Sequence, residues 1–242
     1  MSYLLSDFMT EFSIIVPAFN EEENLEELVK RIAANKIKFN WNCELIIVND
    51  NSSDKTSEIA EENSKRFRWI RAINRKNGLN GMGYALLEGT KNAESEIIVW
   101  TMCDLSDDLE AINLFVKKIK EEKCDMVIGS RFMKGGSPGD ISSWKALAGR
   151  AYTLVTTFLF GIKANDITNA FRGFTKKVAR LKIDSGDFAI SPEQVIKTSI
   201  KGYKICEVPV VYKDRVKGEA KFNFFKMGIA YAKLFKYKWV KF

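Results

Sequence analysis

Short apolar runs alternate with helical patterns along the first 130 residues, and each run stops abruptly at polar, turn-forming residues. Runs of this length that are rich in β-branched residues predict buried strands. Their alternation with helices predicts an α/β fold with a mostly parallel central sheet, right-handed crossovers and flanking helices. The five predicted strands are Phe12–Val16, Glu44–Asn49, Trp69–Asn74, Glu96–Met102 and Asp125–Ser130.

The pattern changes after Arg131. A glycine-rich loop over 135–139 precedes a predicted apolar helix over 144–162, whose uncharged part is too short to span a bilayer and is typical of a buried or interfacial helix. From 222 to 242, aromatic residues alternate with lysines. We therefore predict one domain over residues 1–221 and a basic aromatic segment over 222–242. That segment could lie as an amphipathic helix in a membrane interface, or dock on the body with solvated lysines.

The composition is that of a globular chain, because 46% of the 242 residues are hydrophobic and 29% are charged. The four cysteines lie far apart in the sequence, and histidine is absent. A cysteine zinc site or a disulfide framework is therefore not expected, and a reducing cytosol is the natural compartment. We also expect no signal peptide, because the first residues lack a long apolar core.

Positive charge is concentrated near the C-terminal end of the chain. The formal net charge is +7, and residues 213–242 hold eight lysines and one arginine against one aspartate and one glutamate. The preceding residues are therefore neutral overall. A neutral body with a basic end predicts an anionic surface or ligand near that end, such as a membrane surface, and we expect no nucleic-acid partner.

Candidate chemistry begins where the first two predicted strands end. Ligands of open α/β sheets bind at the carboxyl ends of the strands, and these ends carry Pro17, Phe19 and Glu21, then Val48 and Asp50. A carboxylate such as Asp50 can hydrogen-bond a nucleoside there, and Pro17 and Phe19 can form a pocket wall. The competing interpretation is an ordinary strand–loop–helix start whose acidic residues complement the helix dipole.

These segments resemble the nucleotide-sugar-binding half of the inverting glycosyltransferases of family 2, which have the GT-A fold. Six further segments resemble motifs of that family in the same order along the chain, and this order is more specific than any single motif. The resemblance is strongest to the polyprenyl-phosphate glycosyltransferases, such as the dolichol-phosphate mannosyltransferases. The six segments are 77–85, 102–106, 125–131, 166–174, 202–210 and 214–221.

The resemblance implies an enzyme that moves a hexose from a nucleotide diphosphate sugar, of the GDP-mannose or UDP-glucose type, to a polyprenyl phosphate. It implies that Arg131 and Arg150 are catalytic residues that hold the acceptor phosphate, for which a planar guanidinium is suited. It also implies that Arg215 and Lys221 contact the donor diphosphate. A phosphate monoester is an anion near neutral pH, so this acceptor can attack without a histidine base.

One segment departs from the family pattern. Members of this fold usually carry Asp-x-Asp after the fourth strand to bind Mg²⁺ or Mn²⁺, whereas here Met102 and Cys103 precede Asp104. By resemblance, Asp104 is catalytic, forms the donor site with Met102 and Cys103, and binds the metal with Ser106. The acidic residues 107–108 could replace the lost ligand, or basic residues could carry more of the diphosphate charge.

A polyprenyl acceptor implies a cytoplasmic protein that is peripheral at the cytosolic face of a membrane. Many relatives continue into spanning helices, so an integral membrane partner is one way to hold this chain there. Two alternatives remain open. One is a family 2 transferase with a soluble or polysaccharide hydroxyl acceptor. The other, suggested by Met102, is a non-catalytic protein that binds nucleotide sugars.

Overall fold

The computed structural model describes residues 10–76, 78–139, 141, 143–213 and 224–239, without the side chains of residues 143 and 224–226. Within this part of the chain, seven strands form one sheet with helices on both faces. The strands are β1 (Phe12–Ala18), β2 (Cys43–Asn49), β3 (Ile70–Asn74), β4 (Ile97–Trp100), β5 (Met126–Ser130), β6 (Arg172–Thr175) and β7 (Ile205–Pro209). The helices are α1 (Leu25–Lys38), α2 (Thr56–Arg66), α3 (Met82–Asn92), α4 (Ile112–Lys120), α5 (Ser143–Phe160), α6 (Lys176–Ala179), α7 (Ile190–Ile200) and α8 (Phe224–Lys233).

The strand order is β3-β2-β1-β4-β6-β5-β7. The pairs β1–β2, β1–β4, β2–β3 and β5–β7 are parallel, whereas β6 runs antiparallel between β4 and β5. The predicted α/β class with a mostly parallel sheet is confirmed. The strand β6 was not predicted, because its four residues are too few to show a period and begin with the charged Arg172.

Helices on the two faces enclose two apolar clusters. The side of α1 that faces the sheet shows the expected helical spacing, and Glu26 and Glu27 in its first turn complement the helix dipole. One cluster lies under α1, α2 and α4, and the other lies under α3, α7 and α8. The buried residues of α1 are Leu25, Leu28, Val29 and Ile32.

The described part of the basic aromatic segment is docked on the body. Met227, Leu234 and Tyr237 are buried against the second cluster, whereas the Trp239 side chain is 78% exposed. A 3-10 segment, Leu234–Lys238, extends α8. Among the described residues, none of the helices combines the length and the hydropathy needed to cross a bilayer.

Two of the cysteines form a disulfide, so the expectation drawn from their spacing is wrong. Cys124, just before β5, is bonded to Cys206 in β7, with a Cα–Cα distance of 6.1 Å across a sequence separation of 82 residues. The parallel pairing of β5 with β7 brings them together, which sequence separation does not reveal. Cys43 and Cys103 are buried free thiols.

Candidate active site

A cavity of about 890 Å³ opens at the carboxyl ends of β1, β2, β4 and β5 and extends to α5 and α8. The structure brings nine of the predicted site residues to its wall. Val48 does not line it, because its side chain is fully buried in the sheet core. Arg215 and Lys221 lie outside the described residues. The nine residues are Pro17, Phe19, Glu21, Asp50, Met102, Cys103, Asp104, Ser106 and Arg131.

Asp50, at the end of β2, is held from two sides. Its Oδ2 accepts a hydrogen bond from the backbone N–H of Gly81 at 2.6 Å, and its Oδ1 forms an ion pair with Arg75. The Arg75 guanidinium also lies 5.5 Å from the centre of the Tyr84 ring. Sequence analysis missed Arg75, although it follows β3 at the same sheet edge as Asp50. The geometry fixes the carboxylate next to a cation and an aromatic ring.

The loop after β1 is braced by the loop after β2. The backbone N–H of Glu21 donates to Thr56 Oγ1 at 2.8 Å, and the backbone N–H of Ser53 donates to Asn20 Oδ1 at 2.8 Å. Asn20 has a positive φ of 54°, a conformation that asparagine tolerates better than most residues. These contacts hold together the two polar segments recognised in the sequence, and both segments line the same cavity.

The glycine-rich loop before α3 needs its glycines for close packing. A Cβ on Gly81 would lie 2.2 Å from the carbonyl oxygen of Gly186, and a Cβ on Gly186 would lie 2.0 Å from the ring of Tyr84. The Tyr84 N–H donates to the same Gly186 carbonyl at 3.2 Å. The loop over 184–187, which the sequence did not single out, therefore supports the Asp50 side of the cavity.

Two aspartates follow β4 at the centre of the cavity. Asp104 Oδ1 accepts hydrogen bonds from the Ser106 hydroxyl at 2.6 Å and the Ser106 N–H at 3.2 Å. Asp107 Oδ2 accepts from the Thr101 hydroxyl and the Met102 N–H, both at 2.9 Å. Burial and the charge of Asp104 raise the pKa of Asp107 to about 7, and the two hydrogen bonds only partly offset them.

The donor atoms at this point suit a hard divalent cation. Asp104, Asp107 and Ser106 offer oxygens, whereas the Met102 thioether is not a ligand that Mg²⁺ or Mn²⁺ prefers. Mg²⁺ is commonly held by one or two carboxylates together with the phosphates of the substrate. Two carboxylates on one wall are therefore compatible with such an ion despite the missing first aspartate.

Arg131 lies at the end of β5, and one edge of its guanidinium is occupied by protein. Its Nε and Nη2 donate to the two oxygens of Asp166 at 2.7 and 3.0 Å, and Nη2 also donates to the Thr168 hydroxyl at 2.9 Å. Burial would raise the pKa of Asp166, but Arg131 and these hydrogen bonds lower it. In the described part of the chain, Nη1 takes no acceptor. Its two N–H groups can therefore bind an anion.

The motif over 166–174 is the structural support of Arg131. The fully buried Asp166 holds the guanidinium, and Asn169 Nδ2 donates to the Gly129 carbonyl at 2.7 Å. The fully buried Arg172 donates to the Ser191 carbonyl at 2.8 Å and to the Asn169 carbonyl. These contacts tie the segment to β5 and α7, and so fix the position of Arg131.

Helix α5 brings Lys145 rather than Arg150 to the cavity. Lys145 and Gly149 line it, whereas Arg150 is exposed and is not part of the wall. The acceptor role predicted for Arg150 therefore has no support from its position. Beyond Lys145 the cavity becomes apolar, between α5 and α8. The residues at this end include Ile141, Ala148, Tyr152, Met227 and Tyr231.

The outer face of α5 is apolar and exposed. Phe158 is 90% exposed and Leu147 is 69% exposed, values that are high for large apolar side chains. The helix thus separates the apolar end of the cavity from an apolar surface. The exposed apolar residues on α5 are Trp144, Leu147, Leu154, Val155 and Phe158.

A family model and a curated relative both identify this chain as a glycosyltransferase sequence. The model of "Glycosyl transferase family 2" matches residues 13–181. A dolichol-phosphate mannosyltransferase from Pyrococcus furiosus is 32% identical over 213 residues, which cover 86% of this chain and 58% of the relative. An uncharacterized protein from Methanocaldococcus jannaschii is 30% identical over 207 residues, covering 83% of this chain and 80% of that protein. This chain thus spans little more than half of the Pyrococcus relative.

Comparison with solved structures confirms the GT-A fold. Glucosyl-3-phosphoglycerate synthase from Mycobacterium tuberculosis, in complex with UDP, has a TM-score of 0.72 at 16% identity, covering 96% of this chain and 82% of that one. The same enzyme with Mn²⁺, UDP and glucosyl-3-phosphoglycerate has a TM-score of 0.67 at 14% identity, covering 93% and 77%. At these identities the likeness concerns the fold alone.

Proposed function

Because this chain belongs to glycosyl transferase family 2, we propose that it moves a hexose, with inversion, from a nucleotide diphosphate sugar to a polyprenyl phosphate. The observation that carries the proposal is the composition of the cavity along its length. The wall holds the carboxylates that follow β2 and β4, Arg131 at the end of β5, and mostly apolar residues from α5 and α8. A lipid monophosphate offers a phosphate to Arg131 and a hydrocarbon chain to the apolar residues.

The donor nucleoside binds at the Asp50 end. The carboxylate accepts hydrogen bonds from the nucleoside, while Pro17 and Phe19 form a wall and Glu21 adds a second acceptor. The ion pair with Arg75 holds the Asp50 carboxylate in position. The Pyrococcus relative is a mannosyltransferase, which supports mannose as the sugar, whereas the UDP bound to the glucosyl-3-phosphoglycerate synthase supports a uridine nucleotide with glucose.

The diphosphate lies near the two aspartates. Asp104, Ser106 and Asp107 would hold Mg²⁺ or Mn²⁺, and such an ion neutralises charge on the leaving diphosphate. Solved neighbours were crystallised with Mn²⁺ or Mg²⁺, which supports a divalent cation in this fold. Arg215 and Lys221, outside the described residues, remain predicted contacts of the diphosphate.

The acceptor phosphate binds to the Nη1 edge of Arg131, with Lys145 nearby on the cavity wall. A phosphate oxygen attacks the anomeric carbon as the bond from that carbon to the diphosphate oxygen breaks, and the leaving oxygen keeps the electron pair. The attacking group is already an anion, since the second pKa of a phosphate monoester is about 6. The protein then supplies position and charge rather than a general base.

The exposed apolar face of α5 and the exposed residues of the C-terminal segment support a position of the cavity at a lipid surface. Phe158 and Trp239 are exposed apolar groups, and the exposed Lys236 and Lys238 can bind anionic headgroups. We infer a protein that is peripheral at the cytosolic face of a membrane, alone or with an integral membrane partner.

The test is sugar transfer from GDP-mannose, UDP-glucose or UDP-N-acetylglucosamine, with polyprenyl phosphate or 3-phosphoglycerate as acceptor and with Mg²⁺, Mn²⁺ or EDTA. We expect a lipid-linked product from one donor, and loss of that product in the Arg131→Ala variant. The matched control Arg31→Ala alters an exposed ion pair on α1 and should leave transfer unchanged. Transfer only to 3-phosphoglycerate would replace the lipid acceptor by a soluble one, and nucleotide binding without transfer would favour a non-catalytic protein.

A further inference from the structure

A cluster of charged side chains lies beneath the donor side of the cavity. Glu193 and Lys197, one turn apart on α7, have side chains that are 0% and 5% exposed, and their ion pair measures 2.5 Å. Lys197 also lies 3.0 Å from Asp184 Oδ2 and donates to the Lys182 carbonyl at 2.7 Å. Burying such a pair costs free energy unless its remaining hydrogen bonds are satisfied.

Glu193 holds the loop over 184–187. Its Oε1 accepts a hydrogen bond from the Asp184 N–H at 2.9 Å, and its Oε2 accepts one from the Ser185 N–H at 2.7 Å. The next residue, Gly186, packs against Gly81 and Tyr84 so closely that neither glycine has room for a Cβ. Gly81 in turn donates its N–H to Asp50. Glu193 is thereby linked to Asp50 through a series of backbone contacts.

The C-terminal segment completes this cluster. The buried Tyr237 places its hydroxyl 2.9 Å from both Glu193 Oε1 and Asp184 Oδ2, so one proton is shared between two carboxylates. Lys197 Nζ lies 4.5 Å from the centre of the Tyr237 ring. Burial and the two carboxylates raise the pKa of Tyr237, so the hydroxyl keeps the proton that it donates. A residue near the end of the chain is thus bonded to the loop that supports the donor site.

We propose that Tyr237 is a positioning residue of the donor site, acting through Glu193 and the 184–187 loop on Gly81 and Asp50. The inference rests on the proposed function, because it takes Asp50 as a ligand of the donor nucleoside. It gives the C-terminal segment a role besides membrane contact. Trp239, two residues further, is exposed to solvent, whereas Tyr237 is buried and bonded to Glu193.

The test compares Tyr237→Phe with the wild type in calorimetric titrations with UDP-glucose and GDP-mannose. Removing only the hydroxyl should weaken binding of the preferred nucleotide sugar by about five- to tenfold. This loss is smaller than that of a whole hydrogen bond to a carboxylate, because Tyr237 acts on the donor site through other residues. In the transfer assay, the KM for the donor should rise by the same factor. The kcat at saturating donor and the KM for the acceptor should stay within about twofold, the range expected when only donor binding is altered.

Two matched variants separate this role from general stability. Tyr203→Phe also removes a tyrosine hydroxyl, from a ring whose centre lies 4.3 Å from Lys177 Nζ. This variant should leave donor affinity unchanged. Trp239→Ala should weaken binding to anionic vesicles without changing donor affinity. A lower melting temperature of Tyr237→Phe with unchanged donor affinity would overturn the inference, and so would an equal loss of donor affinity in Trp239→Ala.

The order of measurement distinguishes failure of the inference from failure of the proposed function. If the wild type binds neither nucleotide sugar, the proposed function is wrong and the inference falls with it. If the wild type binds one of them and Tyr237→Phe binds it equally well, the proposed function stands and the positioning role is refuted.

Discussion

The side of the cavity that we propose for the donor and the side that we propose for the acceptor are built differently. On the donor side, the Asp50 carboxylate is already bonded to Arg75 and Gly81, and the surrounding loops pack glycine against glycine. On the acceptor side, Arg131 keeps two N–H donors without an acceptor among the described residues, and α5 exposes a large apolar face. The proposed donor side is therefore fixed by protein contacts, whereas the proposed acceptor side presents hydrogen-bond donors and an apolar surface to solvent.

The disulfide tests how far the β5–β7 part of the sheet, which leads to the acceptor side, depends on a long-range covalent link. Reduction, or the Cys124→Ser/Cys206→Ser double variant, should lower the free energy of unfolding by about 4 kcal/mol, from the chain entropy released by a loop of this length. Urea unfolding with and without dithiothreitol measures the change. Dithiothreitol should have no further effect on the double variant. Equal unfolding midpoints for the oxidised and reduced wild type would contradict the prediction.

Arg131→Ala tests whether the acceptor side is held by one buried ion pair. The change leaves the fully buried Asp166 without its partner and should lower the free energy of unfolding by about 3 kcal/mol. Arg131→Lys keeps the charge but loses the two-pronged contact, so it should be affected less in stability and still lose transfer. Denaturant unfolding of both variants measures the difference. Destabilisation below about 1 kcal/mol in Arg131→Ala would mean that this pair does not organise the region.

The pH dependence of the free energy of unfolding reports on Asp107, which lines the cavity. An unfolded aspartate loses its proton near pH 4, whereas folded Asp107 keeps it until about pH 7. Its raised pKa therefore favours the folded state at low pH, and this contribution is lost as the pH rises from about 4 to 7. Asp107→Asn should then be more stable than the wild type at pH 8, by up to about 4 kcal/mol from this difference in pKa, and equally stable at pH 4. Thermal unfolding at both pH values measures this, and an equal offset at both would contradict the assignment.

The smallest expected effect concerns the exposed face of α5. Phe158→Ser removes an apolar side chain of α5 that is 90% exposed and should weaken binding to anionic vesicles by about tenfold. Ile37→Ser, an exposed apolar residue on α1, is the matched control and should bind vesicles as the wild type does. Vesicle cosedimentation measures both. Equal vesicle binding by the wild type and both variants would contradict a lipid-binding role for the exposed face of α5.

Local sequence patterns predicted the strands that lead to the proposed donor side. The strands that end near Glu21 and Asp50 are apolar runs followed by turn residues, and this pattern depends on neighbours in the chain. The partners of those residues were not predictable in the same way. Arg75 reaches Asp50 because β2 and β3 are paired, and Gly186 reaches Gly81 across more than 100 residues of sequence.

The acceptor side shows the limits of sequence more clearly. Arg131 was recognised from its segment, but its partner Asp166 was known only as part of another motif. Arg150 was chosen on helix α5, whereas the rotation of that helix in the fold brings Lys145 to the cavity. Which face of a helix meets a cavity depends on packing, and an apolar pattern on nearly all faces does not specify it.

The sequence by itself determined the α/β alternation, the two polar strand ends and the loss of the first aspartate at Met102, because each depends on residues adjacent in the chain. Only the tertiary structure decided the antiparallel β6, the Cys124–Cys206 bond and the contact of Tyr237 with Glu193. Those features join segments that are distant in the chain. Their geometry comes from how strands and helices pack, and no local period records it.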